Sequence, residues 1–187
     1  MSFRTKEGKR VARILADRAS QPRVTDDAPS DKRLKRYLAS ASNVADHSGL
    51  RPWRLITLRG DARLRLGEAI AEAQGDRHPS TKPLRAPLLI AVVASYRPSK
   101  FGKVPQWEQL AVAVEVAQNL QHLLLAEGWG SFWRTGRIVE ADVVRRAHGL
   151  TDDEQLLGWL YVGGLSDRPK RARARKVTAE QLTTLGA

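Results

Sequence analysis

The residues best suited to chemistry in this 187-residue chain are concentrated in one run, Ala45-Asp46-His47-Ser48-Gly49-Leu50-Arg51-Pro52-Trp53-Arg54, which passes directly into the alternating segment Leu55 to Leu58. A polar loop holding an acid, an imidazole and a glycine opens onto an aromatic and then a strand, so a site could be displayed at the strand's entry. What is missing narrows the chemistry. No cysteine occurs, which excludes a thiol nucleophile, disulfides and cysteine-held metals and fits a reducing compartment. His47, His78, His122 and His148 show no metal-ligand spacing, and there is no G-x-x-x-x-G-K-S/T, no G-x-G-x-x-G at a strand-helix junction and no G-x-S-x-G elbow. Hydrolytic and metal-dependent readings are therefore disfavoured. A chain poor in nucleophiles can still be an enzyme if a cofactor carries the reaction.

The elements that must hold this loop follow from apolar periodicity. Val11, Ile14 and Leu15 predict a helix over 5–16, broken at Gln21-Pro22. Ser30 is placed to cap a second helix with Leu34, Tyr37, Leu38 and Ala41 on one face. Trp53 to Leu58 predicts the first strand, and Asp61 is expected to cap a third helix running to about residue 73. Residues 74–86, dense in Gly, Pro and charge, read as a mobile surface loop. Leu88 to Ala94 is uninterruptedly apolar and predicts a central strand covered on both faces. After a loop over 96–104, Pro105 opens the longest helix, which runs to about Glu127 with Gly128 as its stop. Its apolar residues occupy much of its circumference, which implies burial in a core or against a second subunit. A short strand near 131–134, a helix over about 141–148 and a strand over 156–162 complete the body. Strands separated by helices indicate an α+β sandwich around one sheet, with 1–187 as a single domain.

The net charge of +12 raises the question of a nucleic-acid partner. Its distribution argues against one. Residues 1–36 carry 11 Lys/Arg against 5 Asp/Glu and residues 168–187 carry 6 against 1, whereas the body between them is nearly neutral. The excess lies at a basic N-terminal segment and a basic tail, where RPKRARARK reads as a solvated charge run. The start of the chain is basic without the apolar stretch of a secretory signal, and no run is long enough to span a bilayer, so a cytoplasmic, membrane-free protein is expected.

Asp46-His47 with Arg51-Pro52-Trp53 resembles the flavin-side loop of the nitroreductase family, in the small single-domain branch whose motif is A-P-D-H-x-x-L-R-P-W. Three further segments resemble the same branch in the same order: Arg85-Ala86-Pro87 before an apolar strand, Val104-Pro105-Gln106-Trp107-Glu108-Gln109 opening the long helix, and Trp133-Arg134-Thr135-Gly136. Each is short; four in order, spanning about residues 10–176, carry the resemblance together. It implies a three-layer sandwich with a central, mostly antiparallel sheet flanked by helices. It also implies a homodimer with FMN at the subunit interface, each flavin held by both subunits.

The resemblance further implies NADH or NADPH as electron donor, a nitroaromatic, quinone or similar small-molecule acceptor, and no catalytic side chain, because the flavin carries the chemistry. Arg18 and Ser20 fall where the family grips the flavin phosphate with Arg-Arg-Ser, and Ala19 replaces the second arginine. His47 corresponds to the histidine that reaches flavin, with Asn43 at a nearby polar position and Ala45 in place of the usual proline. Trp133, Arg134 and Thr135 would contribute from the other side, the arginine and threonine as donors. Arg134 and Arg18 would then favour the anionic reduced flavin. Arg173 and Arg175 both qualify as the tail arginine on phosphate. Acceptor choice is expected to depend on the loops at 74–86 and 96–104. The losses at Ala19 and Ala45 keep open a flavin-sequestering protein with little turnover. A nucleic-acid-binding role is the weaker rival, since no reading helix or aromatic platform is evident.

Overall fold

A computed structural model of the chain describes residues 3–173, 175–178 and 180–186. Its helices are α1 (Lys6–Asp17), α2 (Asp31–Ala41), α3 (Asp61–Gln74), α4 (Gln106–Ala126) and α5 (Asp142–Ala147). Its strands are β1 (Trp53–Leu58), β2 (Leu88–Ser95), β3 (Trp129–Arg134) and β4 (Glu154–Gly164). The uninterrupted apolar run becomes β2, every residue of which is buried, because both of its faces are covered and both of its edges are paired. The sheet order is β1-β2-β4-β3 and every pairing is antiparallel.

Alternation along β2 divides the core. Leu88, Ile90 and Val92, with Leu160 and Val162 of β4, pack on Leu34 of α2 and on Ala117, Leu120 and Leu124 of α4. Leu89, Ala91 and Val93, with Leu156, Trp159 and Tyr161, pack on Leu66 and Ile70 of α3 and on Val144 of α5. The result is the expected three-layer α+β sandwich. One extra residue, Leu157, bulges from β4 opposite the Val92–Val93 step. The next residue, Gly158, has φ 116°, and a Cβ there would strike the Arg134 carbonyl.

Several expectations are adjusted. Gly60, not Asp61, is the N-cap of α3, its φ of 47° setting the turn, and Asp61 lies in the first helical turn. Pro105 caps α4 from outside instead of occupying its first turn. β3 and β4 extend beyond their predicted ends because cross-strand pairing holds residues of low strand propensity, Gly130, Gly163 and Gly164 among them. Residues 74–86 lie largely at the surface, as expected, with anchors to α3 and the core. Ser80 N donates to the Gly67 carbonyl at 2.9 Å, Pro83 is buried, and only a glycine at 67 lets the Ser80 carbonyl approach α3 this closely.

The first helix has its predicted stripe, but α1 buries no residue: Val11 and Leu15 are 56% and 52% exposed. The segment that follows crosses the β3–β4 end of the sheet. Gln21 N donates to Ser131 O (2.9 Å), Thr25 N to Gly164 O (2.9 Å) and Gly164 N to Asp27 O (2.8 Å). This crossing sets what meets the C-terminal tail.

Candidate active site

Two clefts open along one stripe of α4. Ala111 and Glu115 line the first, Gln118 and His122 the second, a spacing of i, i+4, i+7 and i+11 that keeps all four on one side of a helix. The first, of about 540 Å³, is completed by Ala45, Asp46 and His47 from the loop after α2 and by Val104, Trp107 and Glu108. The second, of about 1150 Å³, is completed by Arg18, Ala19 and Ser20 at the exit of α1 and by Lys170, Arg171, Arg173 and Arg175 of the tail. Ala12, Leu15 and Ala16 of α1 form its apolar wall.

Gln21 assembles the second cleft. This buried amide donates to the Ala19 and Lys170 carbonyls (3.3 and 2.8 Å) and accepts from Lys170 N (2.8 Å), joining segments 149 positions apart. Five cationic side chains thereby face one cavity whose lining includes no carboxylate. Among the described residues none of the five makes an ion pair, and the one side-chain partner of Arg18 is Ser20 Oγ at 3.4 Å. Cations gathered without counter-charge repel one another, so an anion entering this cleft is stabilised by all of them together. His122, half-buried beside them, has its pKa pushed down by burial and then by the Arg18 charge.

The first cleft is built the opposite way. The Asp46 carboxylate accepts from Leu50 N (3.1 Å) and Arg51 N (2.7 Å), and His47 Nδ1 lies 2.8 Å from Glu108 Oε2. Those bonds hold a loop in which two non-glycine residues, Ser48 (φ 63°) and Arg51 (φ 48°), adopt left-handed backbone. Such conformations persist where the surroundings over-determine them. With Nδ1 engaged, Nε2 is the ring nitrogen of His47 that no described residue meets in a hydrogen bond. Nearby, buried Gln109 brackets Arg97 through its N (2.8 Å) and O (3.0 Å) and donates to Val104 O (3.2 Å), holding the 96–104 loop on α4.

Of the residues singled out from sequence, the structure brings Arg18, Ala19, Ser20, Arg173 and Arg175 together and sets His47 in the other cleft. Asn43 is exposed beyond the end of α2 and lines neither. Trp133, Arg134 and Thr135 also lie outside both. Trp133 donates from its indole to Leu157 O (3.1 Å) on the α2/α4 side. Arg134 turns to the α3/α5 side, its guanidinium over the rings of Phe132 (4.6 Å) and Tyr161 (5.2 Å), and Thr135 is exposed. Residues 74–86 contribute to neither lining. Sequence reasoning missed Gln21, Lys170, Arg171, Gln118 and His122. The i, i+4 spacing of Gln118 and His122 was a usable signal; nothing local marks Gln21.

Comparison with known proteins follows the same outline. The Nitroreductase family model matches residues 15–164. A protein of Escherichia coli K12 named "Putative NAD(P)H nitroreductase YdjA" is 33% identical over 158 residues, covering 80% of this chain and 85% of that one. Among solved structures, the nitroreductase-like family protein from Bacillus cereus superimposes with a TM-score of 0.82 at 23% identity over the whole of both chains. The FMN and NADPH-dependent nitroreductase NfnB of Sphigopyxis sp. strain HMH does so with a TM-score of 0.71 at 18% identity, covering 95% of this chain and 99% of that one.

Proposed function

The chain belongs to the nitroreductase family, and on that footing we propose that it is an FMN-dependent oxidoreductase. Its donor is NADH or NADPH and its acceptor a nitroaromatic, quinone or similar small molecule. The observation that carries this reading is the uncompensated cationic cleft, which fits the phosphate of a flavin mononucleotide. Arg18 and Ser20, with Arg173 or Arg175, would hold that dianion by charge-assisted hydrogen bonds. Ala12, Leu15 and Ala16 offer the apolar wall that a partly aromatic ligand needs. Ala19 supplies no donor, so the grip depends on the tail that Gln21 secures. When bound, the flavin supplies the hydride and electron-transfer chemistry. The part of the chain is to bind and orient, and no side chain need act as nucleophile.

The active form is a homodimer with cofactor at the subunit boundary. Along α4, Glu108 and His122 are separated by a rise of about 21 Å at 1.5 Å per residue, so His47 and Arg18 of one chain sit at different stations. A second copy related by a two-fold axis would bring its His47 cleft to this chain's cationic cleft. The exposed Val11, Leu15, Trp107 (68%) and Val114 (40%), which line or flank the clefts, support a covering partner. Among the described residues no helix is long and apolar enough to cross a membrane.

The test is the visible absorption spectrum of the purified protein after gel filtration with added FMN, followed by anaerobic NADPH and then NADH. A retained flavin spectrum that bleaches supports the oxidoreductase. Retained flavin that neither donor bleaches would replace it with a flavin-holding protein, and no retained flavin would sink both.

A further inference from the structure

The cationic cleft contains one group that can change its charge near neutrality. His122 projects from α4 with Nε2 at 3.1 Å from the Gln118 amide nitrogen. In that arrangement the amide donates and the ring is neutral, its proton on Nδ1. A half-turn of the Gln118 amide would present its oxygen to a protonated Nε2, so one partner serves both states of the ring. The charged residues that share the cleft's lining with His122 are Arg18 from the exit of α1 and Lys170, Arg171, Arg173 and Arg175 from the tail, and Arg18 is the one whose charge bears directly on the ring. The lining residues of α1 itself carry no charge. On α4 the nearest carboxylates lie outside this lining: Glu115, about two turns away, lines the other cleft, and Glu127 accepts from Tyr37. Every charged residue of the lining is thus a cation, and burial together with the Arg18 charge disfavours the imidazolium. A bound phosphate dianion reverses the sign of that field.

We propose that His122, with Gln118 as its partner in either protonation state, is a proton-gaining member of the phosphate clamp. The ring is neutral in the empty cleft and takes a proton from solvent as a phosphate-bearing ligand enters, so that loading of the ligand includes proton uptake. This inference rests on the reading of the cleft as the FMN phosphate site. Each pH unit by which the ligand raises the ring's titration midpoint corresponds to about a tenfold preference of ligand for the protonated protein. The ligand's own second phosphate proton, with a pKa of about 6, pulls the overall affinity in the opposite direction as pH falls. The decisive measurement is therefore made on the ring.

Histidine ring signals are followed by NMR across about pH 5 to 8 in the full chain alone, with FMN, with riboflavin and with inorganic phosphate. His122→Gln identifies the His122 signal, and Gln118→Leu, which removes its amide partner, does so if the first variant does not fold. The expected result is a His122 midpoint below the ordinary histidine value in the free protein. It rises by about one unit with FMN and is unmoved by riboflavin. A midpoint unchanged by FMN, while flavin fluorescence shows FMN bound, overturns the proposal. A rise with inorganic phosphate in a protein that retains no flavin would keep the clamp and sink the flavin reading. No rise with any phosphate-bearing ligand would sink the clamp.

Discussion

Arg54 and Arg18 are the same residue type put to opposite uses. Arg54 forks onto Glu154, Nε to Oε1 at 2.6 Å and Nη2 to Oε2 at 2.7 Å, and its Nη2 also reaches the Gly149 carbonyl. Glu154 in turn accepts from Ser95 Oγ and Thr151 N, so one carboxylate ties β1, β2 and β4 to the turn before β4. Arg18 has only a long contact to Ser20 and four other cations for company. The histidines divide in the same way. His148 donates from Nδ1 to Val144 O (2.7 Å) and accepts from the Trp159 indole (2.9 Å), whereas His122 rests on one amide beside a guanidinium. Arg54 finds its partner inside the chain and ties the sheet together; Arg18 finds no carboxylate among the described residues.

This contrast is sharpest at Arg18. The Arg18→Ala variant is expected to lose FMN affinity by about tenfold to a hundredfold, the worth of one or two hydrogen bonds to a charged group. Its melting temperature without flavin should be unchanged, because Arg18 supports nothing in the fold. A fluorescence titration that shows equal affinity, or a large loss of stability, would break the comparison.

Glu154→Gln should do the reverse, lowering unfolding free energy by about 1–2 kcal/mol. That figure is kept modest because Arg54 is 39% exposed and its charge is screened; flavin affinity should be retained. The Arg54 guanidinium holds the Glu154 carboxyl well below its ordinary value of 4.5, at about 2. The unfolded chain therefore binds the proton first as the solution is acidified. The stabilisation is whole above pH 4.5 and is lost as pH falls from there towards 2. Acid denaturation of Glu154→Gln should lack that component.

A smaller effect tests what joins the regions. Gln21→Ala removes both bonds to the Lys170 peptide and should weaken FMN binding by about fivefold, roughly 1 kcal/mol, with proteolysis of the tail accelerated. The smallest effect is expected from Glu108→Gln. The His47–Glu108 pair is exposed on the histidine side, 52% against 29%, and its charge should contribute less than about 0.5 kcal/mol to stability by thermal melting.

Much of the architecture was legible before any coordinates. Trp53 to Leu58 and Leu88 to Ala94 announced their strands by alternation and by an unbroken apolar run, and Pro105 and Gly128 announced the two ends of α4, because those signals are carried by residues within a few positions of one another. The strand ends at Gly163-Gly164 were not legible, since partner strands decide them. The composition of the 74–86 segment signalled a surface loop, but its anchor was not legible, because the close approach of Ser80 to Gly67 depends on α3 lying beneath it.

The site was legible only as three separate sets of residues. By itself the sequence determined that Arg18 and Ser20 follow a helix, that Arg173 and Arg175 lie in a basic tail, and that Asp46-His47 open a strand, together with the motifs that resemble one family. Only the tertiary structure decided that the first two sets share a cavity and the third does not, and that no acid neutralises the cations there. The reason is physical. Helices and strands are specified by neighbours in the chain, whereas the cleft depends on a single buried amide bridging 149 positions and on two glycines that let the Thr25 segment lie against β4. Neither constraint leaves a period in the sequence.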